Sequence, residues 1–274
     1  MPEGDTIFRA ARTLHRALAG QVVTGFESVF PHLTRVHEDA PITGRRVESV
    51  AASGKHLLMT FSGDLVLRTH MRMNGSWHIY RPGEAWQRSR RDMRVVVSTA
   101  SFVAVGFSIP VAEWLRAREI LRHEELRRLG PDLLADQFDS EEAIRRLRER
   151  TEAAIADVLL NQRVMAGIGN VYKSEVLFAC RVDPFALVRS LSDEQVSCLV
   201  TTARKFLRAN VSEGLAAMTT YLGFRKTTRR DDPSERLWVY GRVDDPCRRC
   251  GTAIRIAKQG RDARLTYWCP ACQS

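Results

Sequence analysis

Lysine is scarce in this chain: of 42 basic residues in 274, only five are lysine, at positions 55, 173, 205, 226 and 258. Arginine grips phosphate through a planar fork, whereas a partly buried lysine can lose its proton and take part in chemistry, so the few lysines stand out. Long hydrophobic runs are missing too. The longest apolar stretch, Phe102–Leu115, is broken by Ser108, Pro110 and Glu113, which excludes a membrane span. The start, Met1-Pro2-Glu3, lacks a basic segment followed by an apolar one, so no secretory signal is expected. Internal repeats and low-complexity tracts are absent. Cysteine is sparse at six residues. Two of these, Cys180 and Cys198, fall in helical patterns and read as buried free thiols, which implies a reducing, cytoplasmic setting.

Acidic residues are outnumbered, 32 against 42, leaving a formal charge of +10. Such an excess favours a polyanionic partner, with nucleic acid ahead of a membrane surface. With 44% hydrophobic residues, the chain can bury two modest cores.

Periodicity divides the chain. Asp5 or Thr6 can cap a helix whose Ile7, Ala10, Ala11, Leu14 and Leu18 share one face and which Gly20 stops. Seven β-type runs follow: Gln21–Val29, Arg45–Ala51, His56–Phe61, Leu65–Thr69, Trp77–Tyr80, Met93–Ser98 and Ser101–Phe107. Turn signals separate them, which suggests an antiparallel sandwich or barrel, with Arg81–Arg91 as a polar loop. From about residue 112 the pattern turns helical. Ser140 caps Glu141–Arg150, a helix runs from Glu152 to Leu160, and a turn leads into Val171–Arg181. Ser192 caps Asp193–Asn210, with Gln195 in its first turn. Residues 223–240 read as a flexible basic loop.

The last segment carries Cys247-x2-Cys250 and Cys269-x2-Cys272, enclosing 18 residues. Two such knuckles at this spacing wrap four thiolates around one zinc ion; the competing reading is two disulfides. The enclosed segment suits a hairpin, with Ala253–Ala257 and Leu265–Trp268 as its strands.

Candidate chemistry begins at Pro2. Loss of Met1 leaves a secondary amine, which titrates near neutrality and can attack an aldehyde-like carbon to form an iminium. Glu3 beside it can donate or accept a proton. Lys55, at a turn entering a strand, is either a solvated charge or a cationic acid or phosphate ligand. In Thr69-His70-Met71-Arg72-Met73-Asn74-Gly75, a methionine at a turn tip suits a wedge filling the gap left by a flipped nucleotide. Strand alternation sends Met71 and Met73 to the same face, so core packing is the alternative. Ala166-Gly167-Ile168-Gly169-Asn170 opens a helix whose N–H groups, with the Asn170 amide, can hold a phosphate; an ordinary helix-turn-helix bend with Asn170 as cap is the alternative.

These pieces, in this order, resemble the formamidopyrimidine-DNA glycosylase and endonuclease VIII family. Quoted as they stand, they are Met-Pro-Glu-Gly, Gly-Lys-His-Leu-Leu, His-Met-Arg-Met-Asn-Gly, Leu-Gly-Pro-Asp-Leu-Leu, Ala-Gly-Ile-Gly-Asn-Val-Tyr-Lys-Ser-Glu and the four-cysteine finger, and they cover nearly the whole chain. The resemblance implies an α+β fold: an N-terminal antiparallel β-sandwich with a leading helix (1–115), a helix-two-turn-helix domain (116–222), a loop (223–240) and a zinc-ribbon hairpin (241–274). It implies a bifunctional DNA glycosylase and abasic-site lyase of base excision repair, with Pro2 as nucleophile, Glu3 moving protons and Lys55 assisting. His70, Asn170, Lys173 and Arg264 then contact DNA, and Met73 is the wedge. One structural zinc sits on Cys247, Cys250, Cys269 and Cys272. The partner is damaged double-stranded DNA, with no membrane and no nucleotide cofactor, and the protein is a bacterial, cytoplasmic monomer, nucleoid-associated when bound.

Three departures point to the endonuclease VIII-like side and to oxidised pyrimidines. Asp5-Thr6 stands where the family often has Pro-Glu. Val105-Gly106-Phe107-Ser108-Ile109-Pro110 replaces the Arg-Phe-Gly wedge of the purine-repair branch, and Ser212-Glu213-Gly214-Leu215 replaces the Gly-Gly-Thr-Thr start of its lesion-capping loop, expected within 211–240. The alternatives are an oxidised-purine glycosylase and a zinc-ribbon DNA-binding protein without catalysis.

Overall fold

The computed structural model of the chain describes residues 2–212, 225–228, 230 and 232–274. Among these, residues up to 128 form one compact unit and those from 129 onward a second.

The first unit opens with helix α1 (Gly4–Leu18). Its apolar stripe of Ile7, Ala10, Ala11, Leu14 and Leu18 is fully buried, as the periodicity predicts. Glu3, in extended conformation, is the residue before the first turn, so Asp5 and Thr6 lie inside the helix instead of capping it. Asp5 is buried and ion-paired to Arg9 at 3.3 Å. Gly20 stops the helix at φ +81°, a conformation that glycine adopts without strain.

Next come strand β1 (Val23–Ser28), helix α2 (Pro31–Asp39), then β2 (Val47–Ser53), β3 (His56–Phe61), β4 (Leu65–His70), β5 (Ser76–Tyr80), β6 (Met93–Thr99), β7 (Val103–Phe107) and β8 (Val111–Arg116). They form two four-stranded antiparallel sheets, ordered β1-β6-β7-β5 and β2-β3-β4-β8. A core holding Leu57, Met59, Phe61, Leu67, Trp77, Val95 and Val97, together with the stripe of α1, joins them. Two elements escaped the sequence reading. Helix α2 starts on Pro31, whose fixed φ suits a first turn. Residues 111–116 carry helix-forming Ala, Glu, Leu and Arg, yet pair along β4, where Glu113 stands opposite Arg68 and ion-pairs with it. Long-range pairing overrode local preference. Two short helices, α3 (Ala117–Ile120) and α4 (Glu124–Arg127), complete this unit.

The second unit contains α5 (Ser140–Arg148), α6 (Ile155–Leu160), α7 (Asn170–Ala179), α8 (Asp193–Ser212) and the hairpin β9 (Arg255–Gln259) with β10 (Arg264–Trp268). Asp139, not Ser140, caps α5 by accepting the Glu142 N–H at 2.8 Å. The expected box at α8 is present: the Gln195 N–H donates to Ser192 Oγ at 3.2 Å, and the Ser192 N–H donates to Gln195 Oε1 at 2.9 Å. Helix α7 is buried from Asn170 to Phe178 because α6, α8 and β10 all pack against it.

Cys180 and Cys198 form a disulfide joining the end of α7 to α8, with Cα atoms 5.9 Å apart. This corrects the reading of two free thiols, from which the reducing setting was drawn; helical periodicity does not report which side chains meet across helices. The bridge spans a sequence separation of 18. Its reduction is expected to lower stability by about 3 kcal/mol through loop-closure entropy. Urea midpoints with and without dithiothreitol, compared with a Cys198→Ala variant, measure this.

The 223–240 stretch is not a free loop where it is described. Glu175, fully buried on α7, accepts the backbone N–H groups of Trp238 at 2.8 Å, Val239 at 2.9 Å and Tyr240 at 2.9 Å, and the Thr227 hydroxyl. Burial pushes its carboxyl above the usual range, against the pull of these four donors. Glu175→Ala removes the carboxylate that accepts three backbone N–H groups, that of buried Val239 among them, and is expected to cost about 3 kcal/mol. Limited proteolysis should then cut near Trp238 in the variant and spare the parent.

Candidate functional site

In the first unit, Pro2 and Glu3 are both buried. Glu3 is 0% exposed, and its carbonyl accepts the Ile7 N–H at 3.1 Å, which fixes the N-terminus to the start of α1. Pro2 lines an open cleft of about 460 Å³ together with Met73, Asn74, Gly75, Ser76, His78 and Arg88. The turn between β4 and β5 shapes one wall. Arg72 takes φ +50° and the Gly75 N–H returns to the Met71 carbonyl at 2.9 Å. A Cβ on Gly75 would lie 2.5 Å from that oxygen, so only glycine fits. The left-handed residue breaks strand alternation: Met71 is 2% exposed in the core, whereas Met73 stands out at 52%. Of the two methionines that the sequence placed on one face, the turn therefore leaves Met73 as the candidate wedge.

Lys55 occupies the tight turn between β2 and β3, preceded by Gly54 at φ +56°. The next residue, His56, pairs with His70 across β3 and β4, their rings 4.7 Å apart. The His70 Nδ1 accepts the Arg72 N–H at 3.1 Å, which leaves its proton on Nε2, where a neutral imidazole can donate to a phosphate. Burial, then the charges of Arg72, Arg68 and Lys55, hold the His70 pKa down to about 4; burial and Arg68 lower His56 to about 2. The unfolded chain binds these protons near pH 6.5 and the folded chain does not. Stability is therefore fully present above pH 6.5 and is expected to fall from there towards pH 4. Urea unfolding across that range measures the slope, which His70→Gln should flatten.

In the second unit the hairpin is bolted to α7. Asn170 Nδ2 donates to the Leu265 carbonyl at 2.7 Å, and the Tyr267 N–H donates to Ser174 Oγ at 3.3 Å. Arg264, next to Leu265, is partly exposed and 3.7 Å from Asp262. The two phosphate ligands expected in this unit thus come together at Leu265: Asn170, 6% exposed, donates to its carbonyl, and Arg264 precedes it in β10. Lys173 is 1% exposed, and its ammonium donates to Asn170 Oδ1 at 2.7 Å, the Leu265 carbonyl at 3.0 Å and Thr266 Oγ1 at 2.8 Å. The expectation of a DNA contact gives way to a strut between helix and hairpin.

The four finger sulfurs lie within 4.8 Å of one another. Cys247 and Cys272 are 4.0 Å apart, and Cys250 and Cys269 3.5 Å apart. A tetrahedral zinc with bonds near 2.3 Å separates its sulfurs by roughly 3.8 Å, so the set fits zinc. Hydrogen bonds from Thr252 hold the Cys250 thiol down to about 6, whereas burial and neighbouring thiols push Cys269 up and Cys272 to about 12. Sulfurs this crowded shed all four protons only around a cation. One structural zinc belongs here, closed to substrate.

The sequence reading passed over Ser76, His78 and Arg88. A signal existed: Ser76, His78 and Tyr80 alternate along β5, opposite the core-facing Trp77 and Ile79. In the stretch replacing the purine-branch wedge, Phe107 and Ile109 are 0% exposed, so neither presents a wedge. Residues 213–215, and much of the expected capping segment 211–240, lie outside the described residues.

Residues 1–131 match the family described as "Formamidopyrimidine-DNA glycosylase N-terminal domain", 129–221 its "H2TH domain", and 244–274 a "Zinc finger found in FPG and IleRS". "Probable endonuclease 8 2" of Streptomyces coelicolor is 42% identical, over 100% of this chain and 94% of that protein. "DNA-(apurinic or apyrimidinic site) lyase Nei2" of Mycolicibacterium smegmatis is 36% identical, over 100% and 99%. A solved complex of Lactococcus lactis Fpg with DNA containing an abasic site superposes with a TM-score of 0.83, at 22% identity and with 100% of each chain covered, a likeness of fold.

Proposed function

The chain belongs to the formamidopyrimidine-DNA glycosylase and endonuclease VIII family, on its endonuclease VIII-like side, and is a DNA glycosylase with abasic-site lyase activity; from that premise we propose that Pro2 is its nucleophile. The observation carrying the proposal is the placement of Pro2 in a cleft lined also by Met73, with the carboxyl-bearing Glu3 directly following.

The amine lone pair of Pro2 forms a bond to C1′ of the damaged nucleotide, and the glycosidic bond breaks with its electron pair leaving on the base. The C1′–O4′ bond then opens, the ring oxygen taking the proton that the amine gives up, and an iminium remains. Glu3 carries protons at this stage, and Lys55 assists. The iminium acidifies the 2′ hydrogen. Its loss expels the 3′ phosphate, and a second elimination expels the 5′ phosphate, leaving a gap with phosphate at both ends.

DNA is the partner, and the proposal specifies damaged duplex. Met73 fills the vacated stack, while His70, Asn170 and Arg264 hold phosphates. Oxidised pyrimidines are the preferred lesions, supported by the absence of the purine-branch wedge. The chain acts as a monomer without a nucleotide cofactor and is nucleoid-associated when bound to DNA.

Borohydride trapping tests this reading. The full-length protein should form a covalent adduct with duplex DNA carrying an abasic site or dihydrouracil. Absence of adduct on every such substrate sinks it, and a substrate panel including 8-oxoguanine decides the lesion class.

A further inference from the structure

The cleft at Pro2 is backed by a hydrogen-bonded chain. The Gln87 N–H donates to the Tyr80 hydroxyl oxygen at 3.1 Å, Tyr80 Oη lies 3.2 Å from His78 Nδ1, and His78 Nε2 lies 3.0 Å from Ser76 Oγ. Arg88 Nη1 donates to the same Ser76 oxygen at 3.1 Å. The segment bearing Gln87 and Arg88 is held over the sheet by Trp86, which packs against Tyr80 and Phe107.

Proton counting sets the direction of this chain. A neutral imidazole has one donor and one acceptor. If Ser76 donated to His78 Nε2, then Nδ1 would donate to Tyr80, and the tyrosine proton would be left over. Tyr80 is 1% exposed and has no other acceptor among the described residues, so that arrangement carries an unmade buried bond. In the other arrangement Tyr80 donates to Nδ1 and Nε2 donates to Ser76. Tyr80 and both His78 nitrogens are then satisfied, and the Ser76 oxygen accepts from both His78 and Arg88. Its own proton has no acceptor among the described residues and can point into the cleft that Ser76 lines. A hydroxyl accepting two bonds, one from a cation, is a strengthened donor. Burial and the Arg88 charge lower the His78 pKa, in keeping with a neutral ring.

We infer that Ser76 donates a hydrogen bond to an acceptor oxygen beside C1′ of the nucleotide in the Pro2 cleft, with Tyr80, His78 and Arg88 as positioning residues. Two oxygens answer that description: a carbonyl of the departing base, on which the glycosidic electron pair is delocalised, and the ring oxygen of the sugar. Ser76 keeps its proton throughout; it stabilises developing charge as an oxyanion-hole donor does. The inference rests on Pro2 being the nucleophile.

The test uses full-length protein in single turnover on duplexes carrying dihydrouracil or a preformed abasic site. Ser76→Ala is expected to slow base excision by roughly ten- to a hundredfold, with Ser76→Thr restoring most of the rate. If cleavage at the preformed abasic site keeps its rate, the acceptor is the base carbonyl; if both fall together, it is the sugar oxygen. Tyr80→Phe, outside the cleft, removes the proton that orders the chain and should slow excision several-fold while binding to a tetrahydrofuran duplex is unchanged. It decides the matter should Ser76→Ala fail to bind that duplex. Unchanged excision in Ser76→Ala and Tyr80→Phe, or a Ser76→Thr variant as slow as Ser76→Ala, overturns the inference. A parent protein giving no borohydride adduct overturns the Pro2 reading instead.

Discussion

A Pro2→Gly variant is expected to lose trapped covalent complex by about a hundredfold or more, within the range that positioned nucleophiles and acid–base groups supply. Glycine keeps an α-amine, but it gives up the ring that fixes φ and the secondary nitrogen that forms a permanently cationic iminium. Binding to a duplex carrying a tetrahydrofuran site should change little, because phosphate contacts dominate affinity. A second arm uses the parent sequence. A chain that retains Met1 has an amide at the Pro2 nitrogen, with no lone pair to attack C1′, and should give no adduct. Intact mass sorts the two populations, and the trapped fraction should equal the fraction lacking Met1. Trapping by a population that is wholly Met1-bearing would eliminate Pro2 as nucleophile.

Zinc removal should have the other large effect. A two-stranded hairpin alone is marginal in water, and a structural zinc supplies on the order of 10 kcal/mol to such a site. Loss of the ion frees β9 and β10, and the consequence reaches α7. Lys173 takes the Leu265 carbonyl and Thr266 Oγ1 as acceptors from the hairpin, so undocking breaks two charge-assisted hydrogen bonds and uncovers this face of α7. Gln259 and Gln273, which donate to the Pro184 and Val182 carbonyls at 2.9 Å, lose their seats as well. Chelation or Cys269→Ser is expected to weaken DNA binding on the order of a hundredfold, the loss of charge-assisted phosphate contacts worth about 1.5–3 kcal/mol each. Filter binding beside zinc release measures this. Metal-free protein that keeps both hairpin and affinity would contradict it.

Features carried by local pattern were legible in the sequence. The stripe of α1, the Ser192–Gln195 box and the four-cysteine spacing each state their geometry within a few residues. The pieces around Pro2, Lys55, His70 and Asn170 carried the family resemblance. What stayed hidden depends on partners distant in the chain. Residues 111–116 become strand only because β4 offers an edge, and Cys180 meets Cys198 only because α7 and α8 pack together. Lys173 reads as a cation for DNA until β10 supplies two oxygens to it beside that of Asn170. The Ser76, His78 and Tyr80 alternation was visible, but Trp86 folding back over the sheet gives it meaning.

The turn that separates the two methionines has one more consequence. Met73 presents its thioether at the surface, whereas Met71 keeps its own in the core. Oxidants convert an accessible thioether to a polar sulfoxide and reach a buried one slowly. The oxidants that damage bases would therefore also blunt the proposed wedge, replacing an apolar side chain suited to a base stack with one that prefers water. With Met73 as the wedge, reduction of its sulfoxide would restore the apolar side chain that the base stack requires.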